Sequence, residues 1–319
     1  MTNIIELTQS QMSHDDTRAA LRSIVDNDGM TYTAISREAG LSSTAVSHFM
    51  NEKYKGDNDD VNTKLNLWLE NRTRRANEMP QAPDFIETKT SRQIDSALQY
   101  AQLAQCITVI YGVPGVGKTK SLQHFVQKRP NVWLITISPS RASLSECLYE
   151  LALELGIGDA PRRAGQLGRA VRRKLRGTNG LLIIDEADHL GYPVLEELLI
   201  LQEDTGIGLT LVGNHQVYSK LTGGNSRDMD FARLFSRIAK KVSILKPKTE
   251  DVKAIAAAWH LGQPERALVF ELAKKPGALR VISHTLRLAS MFAAGANEVL
   301  NEKHIRKAVK DLEGIEENV

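Results

Sequence analysis

The stretch Ile107–Lys120, ITVIYGVPGVGKTK, decides how this chain is expected to fold. Ile107, Thr108, Val109, Ile110 and Tyr111 form a short β-branched and aromatic run, as a buried strand requires. Gly112, Gly117, Lys118 and Thr119 then fill every fixed position of G-x-x-x-x-G-K-[ST], with Gly115 between them. Glycines at such spacing let successive backbone N–H groups turn inward at a helix start and cradle phosphate oxygens. The predicted loop therefore comprises Gly112, Val113, Pro114, Gly115, Val116, Gly117, Lys118, Thr119 and Lys120. Lys118 is the point charge for the β- and γ-phosphates, and Thr119 the hydroxyl ligand of Mg²⁺. The bound group expected here is ATP with Mg²⁺.

Downstream, apolar runs and helical patterns alternate, which predicts a parallel sheet covered on both faces. Strands are expected at Ile107–Tyr111, Val132–Ile137, Leu181–Asp185, Leu209–Gly213 and Lys241–Leu245. Helices are expected near 117–128, 143–155, 166–176 and 192–203. The segment LLIIDEAD, Leu181–Asp188, delivers Asp185 and Glu186 to a strand's carboxyl end, where open α/β sheets bind ligands. Asp185 suits Mg²⁺ and Glu186 suits polarising an attacking water. Its last four letters also spell a helicase signature, but residues 1–84 and 246–319 cannot build the second nucleotide-binding-like domain such helicases need. At the end of LTLVGN, the Asn214 amide is placed to orient that water. In FARLFSRIAKK, Arg233 and Arg237 fall one turn apart on a helix before the last strand, suited to reach a neighbouring subunit's nucleotide. The bland alternative for both is a solvated basic face. Arg280, in the first turn after Pro276–Gly277, is a candidate to reach back to the phosphates.

Residues 15–71 read as a compact helical domain, after a polar leader at 1–14. Leu21, Ile24 and Val25 share one face. Ala34, Ile35 and Ala39 give a short helix, Gly40 a turn, and Ser43–Met50 a second helix with Ala45, Val46 and Phe49 or Met50 inward. Leu65, Leu67, Trp68 and Leu69 close this core. The spacing resembles the helix-turn-helix of phage-repressor-type DNA-binding domains, with Ser43, Thr44, Ser47 and His48 turned outward toward phosphates and base edges. An ordinary helical hairpin or protein-docking module fits the same pattern. Residues 72–84, with Arg72, Arg74, Arg75, Pro80 and Pro83, read as a linker; 85–247 as the nucleotide-binding core; and 248–319 as a helical C-terminal domain.

With 319 residues, 42% of them apolar, the chain is long enough for two domains with real cores, and a net charge of +3 decides little. Two isolated cysteines, Cys106 and Cys147, argue for a reducing compartment without a disulfide framework or metal site. No export signal or membrane-length apolar run is visible, so a cytoplasmic protein without a membrane partner is expected.

Charge is concentrated, however, in Pro161–Gly177, which holds Arg162, Arg163, Arg169, Arg172, Arg173, Lys174 and Arg176 and no acid. At helical spacing Arg169, Arg172, Arg173 and Arg176 share one face, opposite Leu167, Ala170, Val171 and Leu175. Such a stripe, turned outward, suits a phosphate backbone, as does Lys220 in a loop expected at Tyr218–Gly224. A solubilising helix face is the other reading.

GVPGVGKT, LLIIDEAD, Asn214, the FARLFSR arginines and a helical segment with GALR together resemble an AAA+ ATPase over about 85–312. That resemblance implies strand order 5-1-4-3-2, nucleotide held between subunits, and a helical lid. It also implies sensor roles for Asn214 and Arg280, and an arginine finger at Arg237 or, second, Arg233. The head ending NEKYKGDN, the segment DAPRRAGQLGRAVRRKLRG and the run LVGNHQVYSKLTGG extend the likeness. They resemble the ATP-dependent target-DNA activators of phage transposition. This implies a homo-oligomer, ring or helical filament, on double-stranded DNA with weak sequence preference. It implies handover of that DNA to a transposase in the bacterial host cytoplasm. A helicase loader or replication initiator, and an ATP-switched operator-binding regulator, are the competing readings.

Overall fold

The computed structural model describes residues 12–78, 83, 85–222 and 236–314, with the side chains of 75–78 and 220–222 excepted. The chain divides into two compact units, residues 1–81 with 294–297, and 82–293 with 298–319.

The first unit is helical because short polar residues punctuate its apolar spacing. Helix α1 (His14–Asp28) starts where the Ser13 side chain accepts from the Asp16 N–H and stops at Gly29, whose φ is 68°. Thr31 and Ser42 cap α2 (Tyr32–Glu38) and α3 (Ser43–Met50) in the same way, by accepting from Ala34 and Ala45 N–H groups. Leu21, Ile35, Val46, Phe49, Leu65 and Trp68 form the core, which partly buried Ile24, Val25, Ala39 and Leu41 flank. Phe49 and Met50 are both buried, whereas Leu67, expected inside, is 54% exposed. It falls on the outer face of α4 (Asn58–Glu78), between Leu65 and Trp68, which the 3.6-residue period turns inward. That helix also runs through the first half of the expected linker. Arg72 explains part of this: it pairs with Asp28 at 2.8 Å and lies over the Trp68 ring. Met12, assigned to the leader, accepts through its carbonyl from the Asn62 and Asn66 side chains.

The second unit is a sheet sandwiched between helices. Its strands, β1 (Ile107–Gly112), β2 (Val132–Thr136), β3 (Leu181–Asp185), β4 (Gly208–Gly213) and β5 (Ile238–Ile244), lie in the order 2-3-4-1-5, all neighbours parallel. Read from the other edge, this is the expected 5-1-4-3-2. Alternation sets the layers. Val109, Leu182, Ile184, Leu209 and Leu211 face α7 (Leu144–Glu154), α8 (Ala164–Leu175) and α9 (Tyr192–Thr205). Ile110, Leu181, Ile183, Val212 and Val242 face α5 (Lys89–Leu103) and α6 (Lys118–Lys128). The last strand begins earlier than expected, taking in Ile238–Lys240; only Ile238, Val242 and Ile244 are buried, the pattern of a sheet edge with lysines facing out. Helix α10 (His215–Thr222) follows β4.

The C-terminal helices α11 (Thr249–Ala258), α12 (Gln263–Leu272), α13 (Ala278–Gly295) and α14 (Glu302–Leu312) enclose a core of their own, including Val252, Ile255, Val269, Leu272, Ile282, Leu286 and Ile305. Buried Asp251 ties this bundle to the sheet domain: its carboxylate accepts from the Thr90 N–H at 2.9 Å and the Thr90 hydroxyl at 2.5 Å.

Candidate functional site

The phosphate-loop sequence forms the turn it predicts. β1 ends at Gly112, and a side chain there would meet the Ile244 carbonyl at 2.2 Å, so the strand pair closes only around glycine. Gly115 and Gly117 adopt φ of 78° and 88°, the left-handed region in which glycine alone is unstrained. Val116 is buried beneath the loop, while Val113, Pro114 and Lys120 are exposed. Lys118, first residue of α6, folds its ammonium back onto the Gly112 and Val113 carbonyls at 2.9 and 3.0 Å. Burial pushes its pKa down against the pull of Glu186, Asp185 and Asp188, and the charge of Arg280 adds to the lowering. Arg280, exposed, is thus brought to the loop by the turn at Gly277, whose carbonyl lies against Gly115.

β3 runs parallel to β4, and β4 to β1, which brings the acidic groups to the same edge as the loop. The Thr119 hydroxyl donates to Asp185 Oδ2 at 2.8 Å, and Asp185 Oδ1 accepts from the Glu186 N–H. Oxygen donors so paired suit a hard divalent cation such as Mg²⁺. Burial raises the pKa of Asp185, and burial with the charges of Asp185 and Asp188 raises that of Glu186. Glu186 itself sits at φ 54°, a left-handed conformation for a non-glycine residue, which turns its side chain away from the strand line.

Asn214 lies where expected, one residue beyond the pairing of Tyr111 with Gly213. Its amide is not loose: Nδ2 donates to Asp188 Oδ2 at 2.9 Å, and Oδ1 accepts from the Gln216 N–H at 2.7 Å. The second bond makes Asn214 the cap of α10, so Lys220 belongs to that helix and not to the loop expected at Tyr218–Gly224. The side chain of Lys220 and the whole of Arg233 lie outside the described residues. Arg237 precedes β5 directly and pairs with Glu203 at 3.1 Å. Sequence reasoning passed over Asp188. The signal was present in LLIIDEAD, where the acid three places after Asp185 is 6% exposed and must have donors around it.

The basic segment separates into two groups. Arg162, Arg163, Arg169 and Arg173 are exposed and form no ion pair among the described residues; Arg162 stacks on the Tyr149 ring at 4.3 Å. Arg172, expected to face outward with them, turns instead to α9, where it pairs with Glu197 at 2.7 Å and Asp204 at 3.0 Å. The physical reason is that α8 packs on α9 along its Arg172 flank, so an ideal helical wheel assigns to solvent a residue that a neighbouring helix claims. Arg176 reaches the same helix end through the Asp204 carbonyl. In the first unit, Ser43, Thr44, Ser47 and His48 are exposed on α3.

Known proteins carry the same pattern. A family model described as Mu B transposition protein, C terminal, matches residues 236–312, and one described as an AAA domain matches 102–221. Over 303 residues the chain is 53% identical to the ATP-dependent target DNA activator B of Escherichia phage Mu, covering 95% of this chain and 96% of that protein. The activator B of Escherichia phage D108 is 52% identical over the same shares of the two chains. The Mu-like prophage FluMu DNA transposition protein B of Haemophilus influenzae is 51% identical over 267 residues, 83% of this chain and 93% of that one.

Proposed function

The chain belongs to the Mu B family of phage transposition proteins and is an ATPase of the AAA type. From that premise we propose that it oligomerises on double-stranded DNA in an ATP-dependent way, with little sequence preference, and hands that DNA to a transposase, which it activates. The relatives' description as target DNA activators supports the class of substrate. The observation that carries the DNA reading is the set of exposed guanidinium groups at Arg162, Arg163, Arg169 and Arg173. Cations free of acidic partners bind phosphate without reading bases, which is what capture of arbitrary target DNA needs. The outward polar residues of α3, Ser43, Thr44, Ser47 and His48, offer a second contact surface.

In this reading Gly112–Lys120 bind the phosphates of ATP, with Lys118 leaving its loop carbonyls for phosphate oxygens. Thr119 and Asp185 hold Mg²⁺, which supplies charge neutralisation. Glu186 accepts the proton of the attacking water and Asn214 orients it. Arg237, released from Glu203, completes the site of a neighbouring subunit, and Arg280 contacts the phosphates from the lid. Relatives encoded by phages support action in the bacterial host cytoplasm; among the described residues no helix is long and apolar enough to cross a membrane.

The test is electron microscopy of the protein on random-sequence DNA, with and without ATP, beside a filter-binding assay of Lys118→Ala. Coating of DNA only with ATP, lost in Lys118→Ala, is the expected result. Binding by Lys118→Ala that equals the unmodified protein's overturns the coupling, and protection of a single palindrome overturns target capture.

A further inference from the structure

We propose that Asp188 is a positioning residue for ATP hydrolysis: its carboxylate grips Asn214 by both the backbone N–H and the side-chain amide, and thereby fixes where that amide's remaining N–H points.

Asp188 lies in the 3-10 turn Ala187–His189 that follows β3, and is 6% exposed. Asn214 is the first residue after β4, the strand hydrogen-bonded between β3 and β1. Asp188 Oδ1 accepts from the Asn214 N–H at 3.2 Å and Oδ2 from its Nδ2 at 2.9 Å. Two bonds from one carboxylate to one residue remove both the translation and the rotation of the amide group. On its other side, Asn214 Oδ1 is held by the Gln216 N–H, which also settles which amide atom is nitrogen. A carboxamide with one N–H and its oxygen thus engaged has a single N–H left, aimed by the fold instead of by solvent.

The packing is built around this grip. A side chain at Gly213 would meet Asp188 Oδ1 at 2.5 Å and Val217 Cγ2 at 2.5 Å, so β4 approaches the acid only because residue 213 is glycine. A carboxylate kept at that depth costs free energy unless its lone pairs are satisfied. Nothing in making a helix cap at Asn214 requires a second, buried acid behind it.

The inference rests on the reading of Asn214 as the residue that orients the attacking water. Steady-state ATP hydrolysis by the full-length protein on DNA separates the two. Asn214→Ala is expected to lower kcat; if it does not, the reading of Asn214 fails, whatever Asp188 does. Given that loss, Asp188→Asn is expected to lower kcat by about 10–100-fold with KM for ATP changed by less than about 3-fold. The double variant Asp188→Asn with Asn214→Ala should hydrolyse no more slowly than Asn214→Ala alone, because Asp188 acts through the amide already removed. Wild-type kcat in Asp188→Asn, or losses that multiply in the double variant, overturn the inference. A purely structural role is distinguished by exchanging the partners, Asp188→Asn with Asn214→Asp. That pair re-forms the amide–carboxylate contact and should recover the melting temperature but not kcat. Recovery of kcat along with the melting temperature overturns the inference too, and this variant keeps it testable if Asp188→Asn folds poorly.

Discussion

The Thr119 hydroxyl donates to the Asp185 carboxylate across 2.8 Å, joining the phosphate-loop helix to the strand that carries the acidic residues. Asp185 is nearly fully buried and burial raises its pKa, so the folded chain holds its proton more tightly than the unfolded chain does. Stability from such a group is fully present below the ordinary Asp pKa of 3.8 and falls as pH rises through that value and on through the raised folded value. Asp185→Asn removes the ionising group and keeps a partner for Thr119, whose hydroxyl can accept from the new amide. In metal-free buffer the variant should therefore melt above the unmodified protein at pH 7, with the gap narrowing as pH drops toward 4. It should also lose Mg²⁺-dependent ATP hydrolysis. Thermal melts across that range check the sign: a gap that widens on acidification contradicts the burial account.

Gly115 and Gly117 share left-handed backbone but not surroundings. A Cβ at Gly115 would meet the Gly277 carbonyl at 2.0 Å, whereas one at Gly117 has nothing within 4 Å. Backbone strain costs about 1–3 kcal/mol at either position. Only Gly115→Ala must also push the Pro276–Gly277 turn off the loop, and with it the start of α13 and Arg280. Gly115→Ala is therefore expected to lower the melting temperature by several degrees more than Gly117→Ala. Equal losses would show that the loop does not depend on this contact with the turn.

Local chemistry made the placement of the candidate site legible in sequence. The loop glycines, Lys118, Thr119, Asp185 and Asn214 are set by short-range rules, strand then turn then helix, and each strand end lies at the same sheet edge. What the sequence hid depends on neighbours far along the chain. Arg172 belongs on paper to an outward stripe, but Glu197 and Asp204 of α9 claim it. Asp188 looked like the tail of a motif until β4 brought Asn214 against it. Arg72 has no apolar period to mark it as helical, and Asp28, distant in sequence, pairs with it.

That division of the arginines is testable. Arg162→Ala with Arg163→Ala removes exposed cations and should weaken binding to all DNA sequences alike. The slope of log affinity against log salt should flatten by about one for each phosphate left without its arginine, with the melting temperature unchanged. Arg172→Ala breaks two partly exposed pairs at once, to Glu197 and Asp204, and should cost about 1–2 kcal/mol of stability. Salt titrations of binding beside thermal melts decide between them: a flattened slope in Arg172→Ala without destabilisation would place that residue on DNA after all.

Arg237 and Glu203 hold each other at 3.1 Å within one chain, so an arginine acting on a neighbour must exchange this partner for a phosphate. The pair is partly exposed, and such pairs contribute about 0–1 kcal/mol, little enough for a triphosphate to outcompete. If Arg237 works between subunits, Arg237→Ala should bind ATP normally and hydrolyse it poorly. Glu186→Gln should bind ATP and assemble on DNA without hydrolysing, while still presenting its own Arg237. Mixing the two inactive variants on DNA then creates interfaces in which an intact Glu186 from one subunit meets an intact Arg237 from the other. Hydrolysis should reappear in the mixture, rising to a maximum near equal proportions and falling on either side. No recovery at any ratio, with both variants still assembling on DNA, would assign Arg237 to its own chain, where Glu203 already accounts for it.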